Sequence, residues 1–213
     1  MLDQPRSRME EIRAQDVLGH CYLHNGFFER AAEIFSANLD RAAAAAIPLF
    51  VARSARHLAL ACMWFDAGRA HEAVRRAWDM NEAVDSGIGI AQCDLAAALA
   101  SALDADWYTA EGRMADARAR FRRLGVRFDM LPPDAVDVII KVGQGKLQEG
   151  LAIGEQIVSA QRDGRPVGPP AWSAITALWL GQPDWCDFDG IDWIEPEHAR
   201  ERWLVPLERL TSS

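Results

Sequence analysis

The amino-acid sequence predicts an all-α fold built as a stacked array of antiparallel helix pairs. One short phrase occurs four times, at 26–31, 68–73, 112–117 and 145–150: a glycine is followed five positions later by a small residue, with an acid one or two positions before the small residue. Each phrase lies between two apolar stretches with helical spacing, and alternating strand patterns are lacking. Recurrence over a few tens of residues is typical of repeat architectures, so we expect about ten helices and no sheet.

In this interpretation, each phrase marks the reversal between the two helices of a pair. Glycine adopts a positive φ at a helix C-terminus without steric penalty. The small residue lets the two helix backbones approach closely, and the acid in the first turn complements the helix dipole.

The predicted helices form four pairs, at 9–24 and 28–46, 48–66 and 70–85, 90–110 and 113–124, and 133–143 and 147–162. Pro48 suits the first turn of a helix. The stretches 86–89 and 131–134 are breaks between repeats. A loop at 163–170, with two glycines and three prolines, ends the regular array.

The sequence therefore divides into a repeat array at 1–162 and a different C-terminal segment at 163–213. The segment starts with the Pro/Gly loop and continues as a degenerate fifth repeat rich in tryptophan. Stacked repeats expose an apolar end unless something covers it. We expect the segment to cap the array; folding back into the groove or binding a partner is the alternative.

A family resemblance rests on particular residues. The first repeat has a Leu-Gly-x-x-Tyr run at 18–22, then Gly26, and the small-then-aromatic pair Ala31 and Phe35. Later repeats keep Trp64, Gly68, Ala73, Tyr108, Gly112, Ala117 and Phe121. Over about residues 10–160 the chain resembles the tetratricopeptide repeat family. The resemblance implies a right-handed superhelix with the first helix of each pair on its concave side. Glycine spacings of 42, 44 and 33 residues depart from the family's usual length of about 34.

The resemblance also implies a ligand groove on the concave side. Its lining would be Arg13, Asp16, His20, Leu23, His24, Leu58, Cys62, Phe65, Asp66, Asp106, Thr109 and Ile139. This lining is mainly apolar, with its polar groups gathered in the first repeat, and it suits an amphipathic helix or an apolar peptide. Tetratricopeptide co-chaperones grip a terminal carboxylate with lysine, asparagine and arginine. The matching places here hold Asp16, His20, Ala59, Leu99 and Leu103, so we expect no such clamp.

Asp16, His20 and His24 are spaced by four on one helix and project from one face. Two histidines and a carboxylate can bind a transition metal, with Asp66 or Asp106 as further candidates. However, the HExxH pattern of zinc proteases is absent, and Asp16 and His24 lie two turns apart. We favour a polar stripe in which Asp16 pairs with His20, with no metal or cofactor; metal binding is the alternative.

Charge and composition exclude several functions. The net charge is −8, and residues 184–201 carry seven acids against one base, so a basic stripe for nucleic acid is lacking. The acidic loop 187–192 does not match an EF-hand, and no Gly-rich phosphate loop occurs. No apolar run is long enough for a membrane span, and the N-terminus lacks a signal-peptide core. Four cysteines without a CxxC pair indicate free thiols, so we expect a cytoplasmic protein.

The sequence thus predicts a non-enzymatic domain that binds a protein or peptide through an apolar concave groove. It would act as an adaptor, an assembly factor or a regulatory module, with homodimerisation left open. The alternative is a sensor of a small peptide or metabolite that works with a separate DNA-binding or effector protein. A metal enzyme using Asp16, His20 and His24 is a third, more distant interpretation.

Overall fold

The computed structural model describes residues 4–24, 27–63, 65–126 and 133–162, and these ranges contain eight α-helices and no strand. The helices are α1 (Gln4–His24), α2 (Phe28–Ala44), α3 (Pro48–Cys62), α4 (Ala67–Ala83), α5 (Gly87–Leu103), α6 (Trp107–Leu124), α7 (Pro133–Gly143) and α8 (Leu147–Arg162). The all-α prediction is confirmed for this part of the chain. The two further helices and the cap predicted within 163–213 lie outside the described residues.

The second helix of each pair begins at a regular interval. α2, α4, α6 and α8 start at residues 28, 67, 107 and 147, so the spacings are 39, 40 and 40. The fourth residue of each of these helices is small and buried: Ala31, Ala70, Ala110 and Gly150. A bulkier side chain there would hold the neighbouring backbone away. The period is therefore about 40 residues, and the close-approach role predicted for a small residue falls at this position.

The glycines of the repeated phrase coincide with only some of the turns between helices. Gly145 lies in the α7–α8 turn with φ of +74°, as predicted, whereas Gly68 is the second residue of α4. Gly112 is an exposed residue inside α6, so the predicted helix end at 110 and start at 113 are wrong. The chain reverses instead at 104–106, where Ala105 takes the left-handed conformation with φ of +61°. A non-glycine residue in that conformation leaves no signal in a glycine pattern. Gly26 lies outside the described residues.

Helix ends follow ordinary capping chemistry. Asp66 and Asp106 are the N-caps of α4 and α6, and each carboxylate accepts a hydrogen bond from the backbone N–H three residues on. Pro48 opens α3, as predicted. Gly125 ends α6 with a positive φ after two arginines in the last turn, where basic side chains complement the helix dipole.

The chain forms two compact units, Met1–Ala96 and Ala97–Ser213, with the boundary inside α5. In unit 1, α1 packs on α2, α2 on α3, and α3 on α4. One core cluster in this unit joins Leu39, Ala55, Ala77 and Cys93. In unit 2, α6 packs on α7 and α7 on α8, with Val138 and Ile157 in contact in the interior.

Two simpler expectations can be compared with the structure. Cys21, Cys62 and Cys93 carry free thiols, as expected; Cys186 lies outside the described residues. Among the helices that the structure describes, none combines the length and the hydropathy required to cross a bilayer.

Candidate functional site: a buried aspartate and histidine cluster

A cluster of ionisable side chains in unit 1 is formed by Asp16 and His20 of α1 with His57 of α3. We call these three residues the Asp-His cluster. Asp16 is 2% exposed and His57 is fully buried, while His20 is partly exposed. One potential metal-ligand atom of each residue lies within 4.8 Å of the other two. Buried ionisable groups are rare unless they are paired, so this cluster is the first candidate for a functional site.

Close packing of α1 on α2 brings the cluster together. A Cβ on Gly19 would stand 2.7 Å from the Phe35 ring, so only glycine lets this ring sit against α1. The Phe35 ring then contacts both imidazoles, with ring centroids 5.4 Å from His20 and 5.0 Å from His57. The glycine of the Leu-Gly-x-x-Tyr run therefore positions the apolar wall of the cluster.

The two imidazoles face each other. Their ring centroids are 4.2 Å apart at an interplanar angle of 74°, and the two Nε2 atoms are 3.3 Å apart. His20 Nδ1 donates to the backbone carbonyl oxygen of Asp16 over 2.7 Å. Because a carbonyl oxygen only accepts, this bond identifies the protonated nitrogen of the His20 ring.

The Asp16 carboxylate forms an ion pair with Arg53 through one oxygen, while its other oxygen accepts no hydrogen bond from the described residues. Arg53 lies 2.8 Å from Oδ2, and its side chain is 46% exposed. His57 Nδ1 is 3.5 Å from Oδ1, and His20 Nδ1 is 3.7 Å from Oδ2. Oδ1 accepts no hydrogen bond from the described part of the chain. A buried carboxylate without full compensation is costly, so the arrangement favours a further positive charge at this oxygen.

Burial and nearby guanidinium groups disfavour the charged form of the His20 ring. Burial lowers the pKa of His20 below its ordinary value, and the Arg53 and Arg56 guanidinium groups act in the same direction. The Asp16 carboxylate and the hydrogen bond to its carbonyl oppose this shift without reversing it. A neutral imidazole can act as a metal ligand or a hydrogen-bond acceptor through Nε2.

A second polar group supports the cluster from α2. The buried Asn38 side chain donates to the Ile12 carbonyl oxygen over 3.1 Å and to Ser54 Oγ over 3.4 Å. These bonds connect α2 to α1 and α3, the two helices that carry the cluster. The positions of the cluster residues are therefore fixed by both apolar and polar contacts.

The structure distributes the other predicted groove residues among three settings. Arg13 and Phe65 are exposed, and Leu58 is half-buried. Leu23, Cys62 and Ile139 are buried core residues, so their side chains are closed to a ligand in this structure. Asp66 and Asp106 are helix caps, and Thr109 supplies the N–H that Asp106 accepts. The side chain of His24 lies outside the described residues. The groove itself stays a prediction.

His57 is the cluster residue that sequence reasoning missed. It follows Ser54 by three positions on a helix whose remaining buried residues are mostly alanine. Two polar residues on the alanine-rich face of a helix are a sequence signal for a buried polar contact. Their partner on another helix could not be named from spacing alone.

The buried thiols do not add a nucleophile to unit 1. Burial raises the pKa of Cys62 to about 11 and that of Cys93 to about 12. The reactive form of cysteine is the thiolate, so both side chains act as apolar packing groups near neutral pH.

Unit 2 contains an open depression of about 640 Å³. Its described lining includes Arg118, Phe121, Arg122, Val126 and Pro133. Arg118 already forms ion pairs with carboxylates of α7.

No family model, curated protein or solved structure matches this chain. The resemblance to tetratricopeptide repeats therefore rests on the residues quoted above and stays a prediction.

Proposed function

We propose that the chain is a non-enzymatic helical-repeat domain that binds another protein, and that the exposed face of α1 makes a principal contact. This face carries Ala14, Val17, Leu18 and Cys21, spaced as i, i+3, i+4 and i+7. Val17 is 62% exposed and Leu18 is 41% exposed, and we call the four residues the α1 stripe. A stripe with this spacing fits the apolar face of an amphipathic helix.

The composition of α1 supports this proposal. Ile12 and Leu23 of the same helix are buried in unit 1, so α1 is apolar on two faces. An ordinary surface helix has one apolar face and one polar face. The second apolar face therefore favours a binding surface over a solvated one.

The state of the reactive groups supports a non-enzymatic role. The Asp16 carboxylate and the His57 ring are shielded from solvent, and the buried thiols are held protonated. A substrate would have to open the helix packing to reach them.

The experiment is affinity purification with the intact chain, a Val17→Asp/Leu18→Asp variant and a Leu49→Asp control. Leu49 is also an exposed leucine of unit 1 but lies on α3, outside the stripe. We expect a partner that the intact chain and the control retain and the stripe variant loses. Direct binding is then measured with the purified partner. Equal retention by all three proteins would contradict the α1 stripe as the contact.

Self-association is separated from partner binding by light scattering. A dimer of the intact chain that becomes a monomer in the stripe variant identifies the occupant as a second copy of the chain.

A second candidate function, small-ligand sensing, is favoured by the unit 2 depression. Its volume of about 640 Å³ lies in the usual range for ligand pockets. The Arg122 guanidinium in its lining suits a small anionic peptide or metabolite. A thermal-shift screen of such compounds should then find a ligand whose effect disappears in Arg122→Ala and persists in Arg76→Ala, an exposed arginine of α4.

A further inference from the structure

The hydrogen bonds of the Asp-His cluster identify two nitrogen acceptors that lie close together. His20 Nδ1 carries the proton that it donates to the Asp16 carbonyl, so Nε2 of the neutral ring carries a lone pair. His57 Nε2 lies 3.1 Å from the Arg56 guanidinium, which can only donate, so this nitrogen is also an acceptor. The two Nε2 atoms are 3.3 Å apart. Two acceptors this close together suit a shared cation, which would replace the Arg56 donor at His57 Nε2.

The distances agree with a tetrahedral metal site. Two Zn–N bonds of about 2.0–2.1 Å at the tetrahedral angle place the nitrogens about 3.3–3.4 Å apart. The spacing of His20 Nε2 and His57 Nε2 is 3.3 Å. Metal-binding histidines commonly donate their other ring N–H to a backbone carbonyl, as His20 does to Asp16.

The Asp16 carboxylate supplies the third ligand and a compensating charge. It is almost fully buried, and its Oδ1 accepts no hydrogen bond from the described residues. A ligand atom of Asp16 lies within 4.8 Å of one from each imidazole. The carboxylate oxygens lie nearest the Nδ1 atoms of the two rings, at 3.5 Å from His57 and 3.7 Å from His20, so Asp16 must move toward the Nε2 atoms to share one ion with them.

We propose that Asp16, His20 and His57 form a binding site for a divalent transition-metal ion of the zinc type. The two imidazoles are its nitrogen ligands and the carboxylate is its oxygen ligand. This donor set leaves a fourth tetrahedral position for water or an external ligand. The site replaces His24, the third residue of the sequence-based alternative, with His57 from another helix.

Two arginines compete with the metal. In the structure, Arg53 pairs with Asp16 Oδ2 and Arg56 donates to His57 Nε2. The Arg53 side chain is almost half exposed, so it can withdraw into solvent when an ion binds. Arg53→Gln should therefore raise the metal affinity, whereas a purely structural ion pair would give no such gain.

The test is a titration of the full-length, chelator-treated chain with Zn²⁺ by calorimetry and with Co²⁺ by visible absorption. We expect one ion per chain with the spectrum of tetrahedral cobalt. His57→Gln and Asp16→Asn should each lower the affinity by about tenfold or more, and Arg53→Gln should raise it. His71→Gln is the matched control, because His71 is an exposed histidine of α4 outside the cluster.

Several results would overturn the proposal. They are no stoichiometric binding, binding that His57→Gln leaves unchanged, or binding lost in His24→Gln and kept in His57→Gln. If His57→Gln fails to fold, the wild-type chain still decides the question. X-ray absorption of the zinc-loaded chain and ¹⁵N imidazole NMR should then show two coordinated histidines, His20 and His57. Histidine signals unchanged by zinc would contradict the site.

Discussion

The two units of this chain treat polar groups in opposite ways. Unit 1 buries them: Asp16, Asn38 and His57 all lie in the packing between helices. In the part of unit 2 that the structure describes, ion pairs lie nearer the surface, as in the contact of Lys141 with Glu111, and the α7–α8 interior is filled with apolar side chains such as Val138.

The difference explains why the candidate site lies in unit 1. Apolar packing stabilises a fold wherever the shapes match, but a buried charge or imidazole destabilises it unless particular partners are present. The polar interior of unit 1 therefore requires a defined geometry, and this geometry is available for binding. The apolar interior of unit 2 requires only side chains that fill the available volume.

Removing the aromatic wall of the cluster should give the largest effect. Phe35→Ala removes a fully buried ring that contacts both imidazoles, so we expect a loss of about 3–5 kcal/mol in the free energy of unfolding of unit 1. Denaturant unfolding followed by hydrogen exchange of α1 and α3 measures this loss. Phe27→Ala is the control, because Phe27 is 43% exposed. A similarly small loss of stability in both variants would show that the Phe35 ring does not support the cluster.

The sequence predicted the helix turns unequally well. The bounds predicted for α7 and α8 agree to the residue, because Gly145 occupies the turn with a positive φ that favours glycine. The α5–α6 turn was misplaced because Ala105 takes the same conformation without a glycine. For the site, Asp16 and His20 were identifiable from spacing on one helix. His57 was not, since its position depends on how α3 packs on its neighbours.

Shortening a side chain in unit 2 tests whether the predicted groove residue Ile139 is part of the core. Ile139 is fully buried, so Ile139→Ala should lower the free energy of unfolding of unit 2 by about 2–5 kcal/mol. Leu147→Ala, at a residue that is 47% exposed, should cost much less. Hydrogen exchange of α7 measures both. A loss below about 1 kcal/mol for Ile139→Ala would indicate an open groove position instead.

The capping aspartates are a feature that the two units share. Asp66→Ala removes the acceptor for the Arg69 backbone N–H at the start of α4, so we expect a loss of about 1 kcal/mol. Asp66→Asn keeps an acceptor oxygen and should be close to neutral. Thermal unfolding of both variants checks this cap. If Asp66→Ala is more stable than the intact chain, Asp66 is kept for a role other than capping, such as the groove lining that the sequence predicted.

The pH dependence should give the smallest effect, because opposing influences act on His20. Burial lowers its pKa, with Arg53 and Arg56 acting in the same direction, while Asp16 acts against it and His57 faces the ring. The unfolded chain therefore binds a proton near the ordinary value of about 6.5, and the folded chain binds it only at lower pH. The stability of unit 1 is complete above that value and falls as the pH decreases through it.

Unit 2 should respond in a more acidic range. Hydrogen bonds from Gln144 and Lys141 lower the pKa of Glu111, so its contribution is lost only below the ordinary value of 4.5. Unfolding measured from about pH 7.5 to about pH 3, with hydrogen exchange for each helix, separates the two ranges. His20→Gln should remove the change near pH 6 from α1 and leave α7 unaffected. If this change persists in His20→Gln, another group in unit 1 titrates near pH 6. The pH response of the polar interior of unit 1 then does not depend on His20.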